Sequence, residues 1–252
     1  DTRAAAAAAM RLLGAIPGVA VSGHTREEPV RNVVAVLRGA RPGRRVVLSG
    51  HLDTFPAGET ARWSVPPFAA SIRGERLYGR GAADMKGGIA AAIAVMAALA
   101  ARRDRAGELV LALAGDEESM GTSGTQFLLD TVPEVRGDVA IVPDAGSPAV
   151  IRFGEKGMVW LDLAAEGSAA HGAHVHRGEN AAERLVEAVH RILALRDRAV
   201  DVPLPIRNAI AAARPVSEPL GGTGEAETLS RVTVNLGTLA AGISPNLVPD
   251  RA

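Results

Sequence analysis

Five carboxylates and a histidine stand just after short apolar or glycine-rich stretches: His51, Asp53, Asp84, the adjacent pair Glu117 and Glu118, and Asp144. These are the residue types that hold divalent metals through nitrogen and oxygen. In Val46-Val47-Leu48-Ser49-Gly50-His51-Leu52-Asp53 a β-branched run ends in a histidine and a carboxylate on one side of an extended chain. The stretch Leu109 to Ala114, followed by Gly115-Asp116-Glu117-Glu118, repeats the layout with adjacent acids. Open α/β sheets gather their chemistry beyond the carboxyl ends of strands, so residues remote in sequence can converge there. Convergence of this kind suits a two-metal hydrolase. A metal can lower the pKa of water from about 15.7 to about 7, which supplies a nucleophile for amide hydrolysis near neutral pH. A neighbouring carboxylate can then take the proton.

Composition narrows the partners. The chain has 252 residues, 28 Lys+Arg against 28 Asp+Glu, and only 3% aromatics, so a nucleic-acid role with its basic stripe is not expected. With no cysteine, disulfides and thiolate metal sites are excluded, and any metal must be held by His, Asp and Glu. That donor set fits hydrolytic Zn, Mn or Co. Hydrophobic residues make up 47% and mean hydropathy is +0.12, as in an ordinary soluble protein. The longest apolar run, Gly87 to Ala101, is short for a membrane span and is read as a buried helix, so no membrane partner is expected. Ala4 to Ala9 reads as a helix already under way, not as a signal core. Without an initiating Met, the amino terminus is expected to be incomplete.

The positioning elements follow from periodicity. A helix is expected to about Ala15, then the Ile16-Pro17-Gly18 turn, strands near Arg31 to Leu37 and Val46 to Ser49, and a long loop anchored by Trp63 and Phe68. Leu77-Tyr78-Gly79-Arg80-Gly81 approaches Asp84, and Gly87-Gly88 opens a helix from Ile89 to Ala101. Strands at Glu108 to Ala114 and Val139 to Val142 complete an α/β pattern: a mostly parallel sheet flanked by helices. After Gly154 the character changes. Met158 to Ala164 alternates as an antiparallel strand would, Glu179 to Leu195 is helical with Leu185, Val189 and Ile192 on one stripe, and Arg231 to Leu236 reads as a second strand. Asp201 to Glu227, rich in Pro, Gly and Arg, is expected to be a loop with at most a short helix. Two domains are therefore expected, 1–154 and a smaller α+β domain, 155–252.

The ordered set Ser49-Gly50-His51-Leu52-Asp53-Thr54, Tyr78 to Gly88, Asp116-Glu117-Glu118, Ala170-His171 and Asn246-Leu247-Val248-Pro249 resembles the M20 metallopeptidase family. That family includes aminoacylase, acetylornithine deacetylase, succinyl-diaminopimelate desuccinylase and glutamate carboxypeptidase relatives. The resemblance implies a zinc-peptidase-like catalytic domain with an inserted lid and dimerisation domain, both incomplete here. It implies hydrolysis of an amide bond in N-acyl amino acids or small peptide-like substrates by a cytoplasmic homodimer that pairs through the lid.

Two divalent ions are implied, zinc first, with cobalt or manganese as alternatives. His51 would bind one of them, Asp84 would bridge both, and Glu118 and Asp144 would be further ligands. Asp53 would hold the His51 ring, Glu117 would be the general base, and His171 would donate to the oxyanion in the neighbouring subunit. Asn246 would contact substrate. A cis peptide between Asp84 and Met85 is also implied. Arg80 and Lys86 are read as partners of nearby acids without a catalytic role. His174 and His176 are read as rim or interface residues, with a separate site at His171, His174 and His176 as the lesser alternative. Val175 stands where the family commonly has proline.

One departure weighs on function. The family's further metal-binding histidine comes from a segment after the lid, and this chain ends at Ala252, inside the lid. An inactive truncated fragment that keeps only folding and dimerisation surfaces is therefore the alternative to a working hydrolase. A dinuclear phosphoesterase is a weaker one, opposed by the Glu117-Glu118 pair.

Overall fold

The computed structural model describes residues 1–102, 104–146, 150–152 and 154–252. They form two compact units, Asp1–Gly146 and Ser147–Ala252. The first unit runs in order through α1 (Arg3–Gly14), β1 (Val19–His24), β2 (Asn32–Arg38), β3 (Arg41–His51), a hairpin of β4 (Ser71–Arg73) and β5 (Arg76–Tyr78), α2 (Gly87–Ala100), β6 (Ala106–Ala114), α3 (Thr125–Thr131) and β7 (Val139–Ile141).

Five strands form one sheet in the order β1-β2-β6-β3-β7. The expected helix-flanked sheet is present, and its pairing is mixed. Strand β3 runs parallel to β6 and β7, whereas β1, β2 and β6 pair antiparallel. Strand β1, which has no clear alternation, returns to β2 through a connection too short for a helical crossover, and that forces the antiparallel pair. Parallel pairing of β3 and β6 matters most, because it brings the ends carrying His51 and the Asp116-Glu117-Glu118 loop to the same edge.

Alternate residues of the central strands bury opposite faces. Val33, Ala35, Leu37, Leu48, Leu109, Leu111 and Leu113 pack under α1 and α2 with Leu13, Ile89, Ala92 and Met96. Val34, Val36, Val47, Val110 and Ala112 pack with Leu128, Val132 and Val135 on the α3 side. Burial on both faces explains why β2 and β6 read as continuous apolar runs, and each buried Leu or Val contributes about 1.5–3 kcal/mol. The segment Ala82–Ala100 is long and apolar enough by composition to cross a membrane. Here its Ile89, Ala92 and Met96 lie in the core as a sheet-covering helix would place them.

In the long loop, the Trp63 indole donates to the Ala57 carbonyl at 2.8 Å, and the Arg80 guanidinium lies 5.2 Å from its ring centre. Arg80 therefore stacks on an aromatic where an acidic partner was expected. Phe68 is 73% exposed and anchors nothing.

The second unit contains β8 (Ala170–His171), α4 (Ala181–Leu193), α5 (Leu204–Gly221), α6 (Glu225–Leu229) and β9 (Leu247–Val248). Asn180 caps α4 by accepting from Ala182 N and Glu183 N, and the stripe of Leu185, Val189 and Ile192 is its more buried side. Three expectations fail here. Neither 158–164 nor 231–236 forms a strand, because neither has a backbone ladder with a neighbour among the described residues, and an unpaired strand is not stable in water. Met158, Val159 and Trp160 are exposed accordingly. The third is the Pro-rich stretch, which is helical as α5. Its Ile206 to Ala213 core is alanine-rich, and Arg214 pairs with Glu218 one turn on. Pro215 and Pro219 each remove a helix hydrogen bond, but α5 has no buried residue, so water can satisfy the freed carbonyls.

One glycine sets how closely the site elements approach. A Cβ on Gly88, in the first turn of α2, would overlap the Pro143 carbonyl oxygen, next to Asp144. Gly88→Ala should therefore destabilise the chain by about 1–3 kcal/mol through overpacking, although alanine is the better helix former by about 1 kcal/mol. Denaturant midpoints of the two proteins check this, and an unchanged or raised midpoint refutes the close approach.

Candidate metal centre

His51 is the last residue of β3 and is buried, 2% exposed. Its backbone N–H donates to Met85 Sδ at 3.2 Å, and Met85 is itself fully buried. Its ring faces acceptors on both sides. Nδ1 lies 3.2 Å from the Asp53 carbonyl and 3.4 Å from the Asp53 carboxylate, and Nε2 lies 2.8 Å from Asp84 Oδ1. Glu117 Oε2 is 3.9 Å from the same Nε2.

Asp84 is carried by the wide turn Ala82–Lys86, closed by Lys86 N donating to the Gly81 carbonyl at 2.9 Å. Asp84 and Met85 leave helical geometry within that turn, and the peptide bond between them is cis. Gly81 enters it at φ 78°.

Glu117 and Glu118 open a short 3-10 turn directly after β6. Asp53 accepts from both of their backbone amides, Oδ1 from Glu117 N at 3.2 Å and Oδ2 from Glu118 N at 3.0 Å. Glu118 Oε1 in turn accepts from Phe55 N at 3.1 Å. The buried Asn32 side chain braces this loop from β2, donating to the Ser123 carbonyl at 2.9 Å and accepting from Gly115 N at 2.8 Å. Asp116 Oδ2 accepts from Ser123 N at 2.7 Å.

Donor atoms of His51, Asp84 and Glu118 all lie within 4.8 Å of one another, a group able to hold a metal ion. Asp144 is not in that group. It lies beyond the three-residue edge strand β7, is exposed, and turns its Oδ1 to Ala145 N at 2.6 Å, although its charge is felt at Glu117. Sequence reasoning passed over Asn32, an ordinary strand residue by pattern, and it read Lys86 as the ion-pair partner of a nearby acid, which among the described residues it is not. The Lys86 ammonium donates to the Leu52 carbonyl at 3.1 Å, close enough to Asp53, Asp84 and Glu118 to feel all three charges.

In the second unit β8 pairs with β9, setting His171 opposite Leu247 and beside Asn246. His171 Nδ1 accepts from Ala173 N at 3.1 Å, and its Nε2 lies 3.1 Å from the Asn246 side-chain amide. The His171–His174 and His174–His176 ring centres are 6.0 and 5.9 Å apart, and these three do not form a metal-capable group among the described residues.

His51 at the end of β3, Asp84 on the turn before α2 and Glu118 after β6 thus form one metal-capable donor group on a helix-flanked sheet. Residues 47–236 match the model of Peptidase family M20/M25/M40, and the chain belongs to this family. It is 39% identical over 170 residues to a succinyl-diaminopimelate desuccinylase of Rhodospirillum centenum, covering 65% of this chain and 44% of that relative. A desuccinylase of Novosphingobium aromaticivorans is 36% identical over 181 residues, covering 69% and 47%. The chain thus spans about half the length of the curated relatives it matches. In fold it is similar to an M20 family metallo-carboxypeptidase from Sulfolobus solfataricus, with TM-score 0.69, 19% identity and coverage of 98% of this chain and 62% of that one. Human carnosine dipeptidase 1 gives TM-score 0.58 at 20% identity, covering 98% and 61%.

Burial opposes a charge on His51, but hydrogen bonds to Asp53 and Asp84 and the field of Glu117 outweigh it and raise its pKa to about 9. Burial likewise pushes the Asp53 carboxyl up, yet the His51 ring and the Glu118 amide hold it below its ordinary value. A raised histidine pKa stabilises the fold fully below its unfolded value of 6.5 and is lost as pH rises through about 9. A depressed Asp53 stabilises it above 3.8 and is lost as pH falls through the lower folded value. The metal-free chain should therefore melt highest between these limits and lose stability as pH rises from 6.5 through about 9. Melting curves in chelator check this, and His51→Gln should flatten the alkaline limb.

Proposed function

We propose that this chain is the metal-binding part of a hydrolase cleaving the amide bond of N-acyl amino acids or small peptide-like substrates. The observation that carries the reading is the convergence of His51, Asp84 and Glu118, one nitrogen and two carboxylate donors. That set suits zinc, with cobalt or manganese as alternatives. When bound, such ions polarise the amide carbonyl and make water acidic enough to attack near neutral pH. In this reading Asp84 would be shared between two ions, and Asp144 would be a further ligand.

The remaining residues divide the work. Asp53 keeps a proton on His51 Nδ1 and leaves Nε2 free to bind. Glu117 takes the proton of the attacking water and returns it to the leaving nitrogen. Burial first, and then Glu118, Asp144 and Asp53, raise its pKa, which makes it the better proton acceptor. In the second unit, the lid and dimerisation domain of this reading, His171 donates to the oxyanion within a cytoplasmic homodimer, and Asn246 contacts substrate. The relatives named above make an N-succinyl amino acid the first substrate to test.

The chain spans about half the length of those relatives, and the alternative reading is an inactive piece that retains only folding and dimerisation surfaces. Metal-loaded chain assayed against N-succinyl and N-acetyl amino acids separates the two.

In the longest gene product containing this chain, Glu117→Gln should keep metal content and lower kcat by about a hundredfold to ten-thousandfold. Glu118→Gln should instead lower metal content, because a neutral amide replaces an anionic ligand. Elemental analysis beside hydrolysis rates makes the comparison. Loss of metal in Glu117→Gln with retention in Glu118→Gln reverses the two roles and removes Glu117 as the base.

A further inference from the structure

Lys86 does not behave as a surface lysine or as half of an ion pair. Its side chain folds back beneath the Gly81–Asp84 turn, where a Cβ on Gly81 would stand 3.0 Å from Nζ. Its one hydrogen bond goes to the Leu52 carbonyl, between His51 and Asp53. No carboxylate oxygen lies within 4.0 Å of Nζ among the described residues, yet Asp53, Asp84 and Glu118 all act on it through space. Partly withdrawing an ammonium from water is costly unless nearby anions offset it. Three carboxylates at middle distance offset part of that cost, although burial outweighs them and lowers the Lys86 pKa, and none of the three forms an ion pair with the ammonium among the described residues.

We infer that Lys86 is the built-in counter-charge of the metal centre: its ammonium offsets Asp53, Asp84 and Glu118 when no ion is bound, and repels a divalent ion when one is. The fold then gathers its acids with less self-repulsion, and metal affinity is set below the level the carboxylates alone would produce. This rests on the metal-binding reading of His51, Asp84 and Glu118. A tether role for the Leu52 hydrogen bond makes the opposite forecast, since a loosened strand end would weaken metal binding. The sign of the change therefore separates charge from scaffolding.

The test is Zn2+ affinity of this chain, by competition with a chromophoric chelator, for wild type, Lys86→Gln, Lys86→Met and Lys86→Arg. Gln is neutral but keeps a donor for Leu52, Met is neutral without one, and Arg keeps the charge. Lys86→Gln should bind Zn2+ about tenfold more tightly, as expected for removing one positive charge near a divalent ion at a partly solvated site. Lys86→Arg should stay close to wild type. Unchanged or weaker Zn2+ binding by Lys86→Gln, with wild type binding normally, overturns the role of Lys86 alone. Should Lys86→Gln not fold, Lys86→Met decides by the same criterion. If wild type itself binds no Zn2+, the inference falls together with the metal-binding reading.

Discussion

The Asp53 carboxylate joins two strand ends that the sequence keeps far apart. One of its oxygens accepts from Glu117 N and the other from Glu118 N, while the carboxylate also lies 3.4 Å from His51 Nδ1. Strand β3 delivers the histidine and β6 delivers the adjacent acids, and because the two run parallel both ends emerge at one edge. A carboxylate accepting two backbone donors and facing a ring nitrogen is a strong, directional clamp. Everything proposed for the site depends on it, since it sets the His51 ring and the start of the Glu117-Glu118 turn with one group.

Gathering acids at one place creates a problem that the rest of the structure must contain. Asp53, Asp84, Glu117 and Glu118 stand around a single histidine, and without metal their repulsion has to be balanced locally. Two devices do this. His51 is held as an imidazolium by acceptors at both nitrogens, and the Lys86 ammonium is folded beneath the same turn that carries Asp84. The carboxylate field that these two cations offset in the metal-free chain is the field that would attract a divalent ion. Behind the acids, Asn32 ties the loop between β6 and α3 to the buried sheet through uncharged hydrogen bonds, and Asp116 closes that loop on itself by accepting from Ser123 N.

The second unit shows a different balance. Its most ordered part, β8 against β9 with the capped helix α4, holds His171 and Asn246 side by side. Segments 158–164 and 231–236 have strand-like alternation and remain coil; the apolar residues of the first are exposed, while Val232 and Val234 of the second are half-buried. Alternation states which face a strand would bury, but it does not supply the neighbouring backbone that makes a strand.

Much of the first unit was legible in the amino-acid sequence because its signals are local. Apolar runs marked β2, β3 and β6, glycines marked the approach to Asp84, and the ordered motifs pointed to His51, Asp84 and Glu118, which the fold brings within 4.8 Å. What the sequence could not state depends on pairing across space. Strand β1 and the mixed sheet follow from which backbone lies beside which. The position of Asp144, outside the donor group, follows from where the short edge strand ends, and α5 forms because its proline-freed carbonyls meet water. Asn32 and Lys86 are ordinary letters in the chain and gain their roles only from neighbours eighty-three and thirty-four positions away. Periodicity is a property of one segment and can be read alone, whereas hydrogen-bond ladders and electric fields belong to pairs of segments and exist only once the chain has folded.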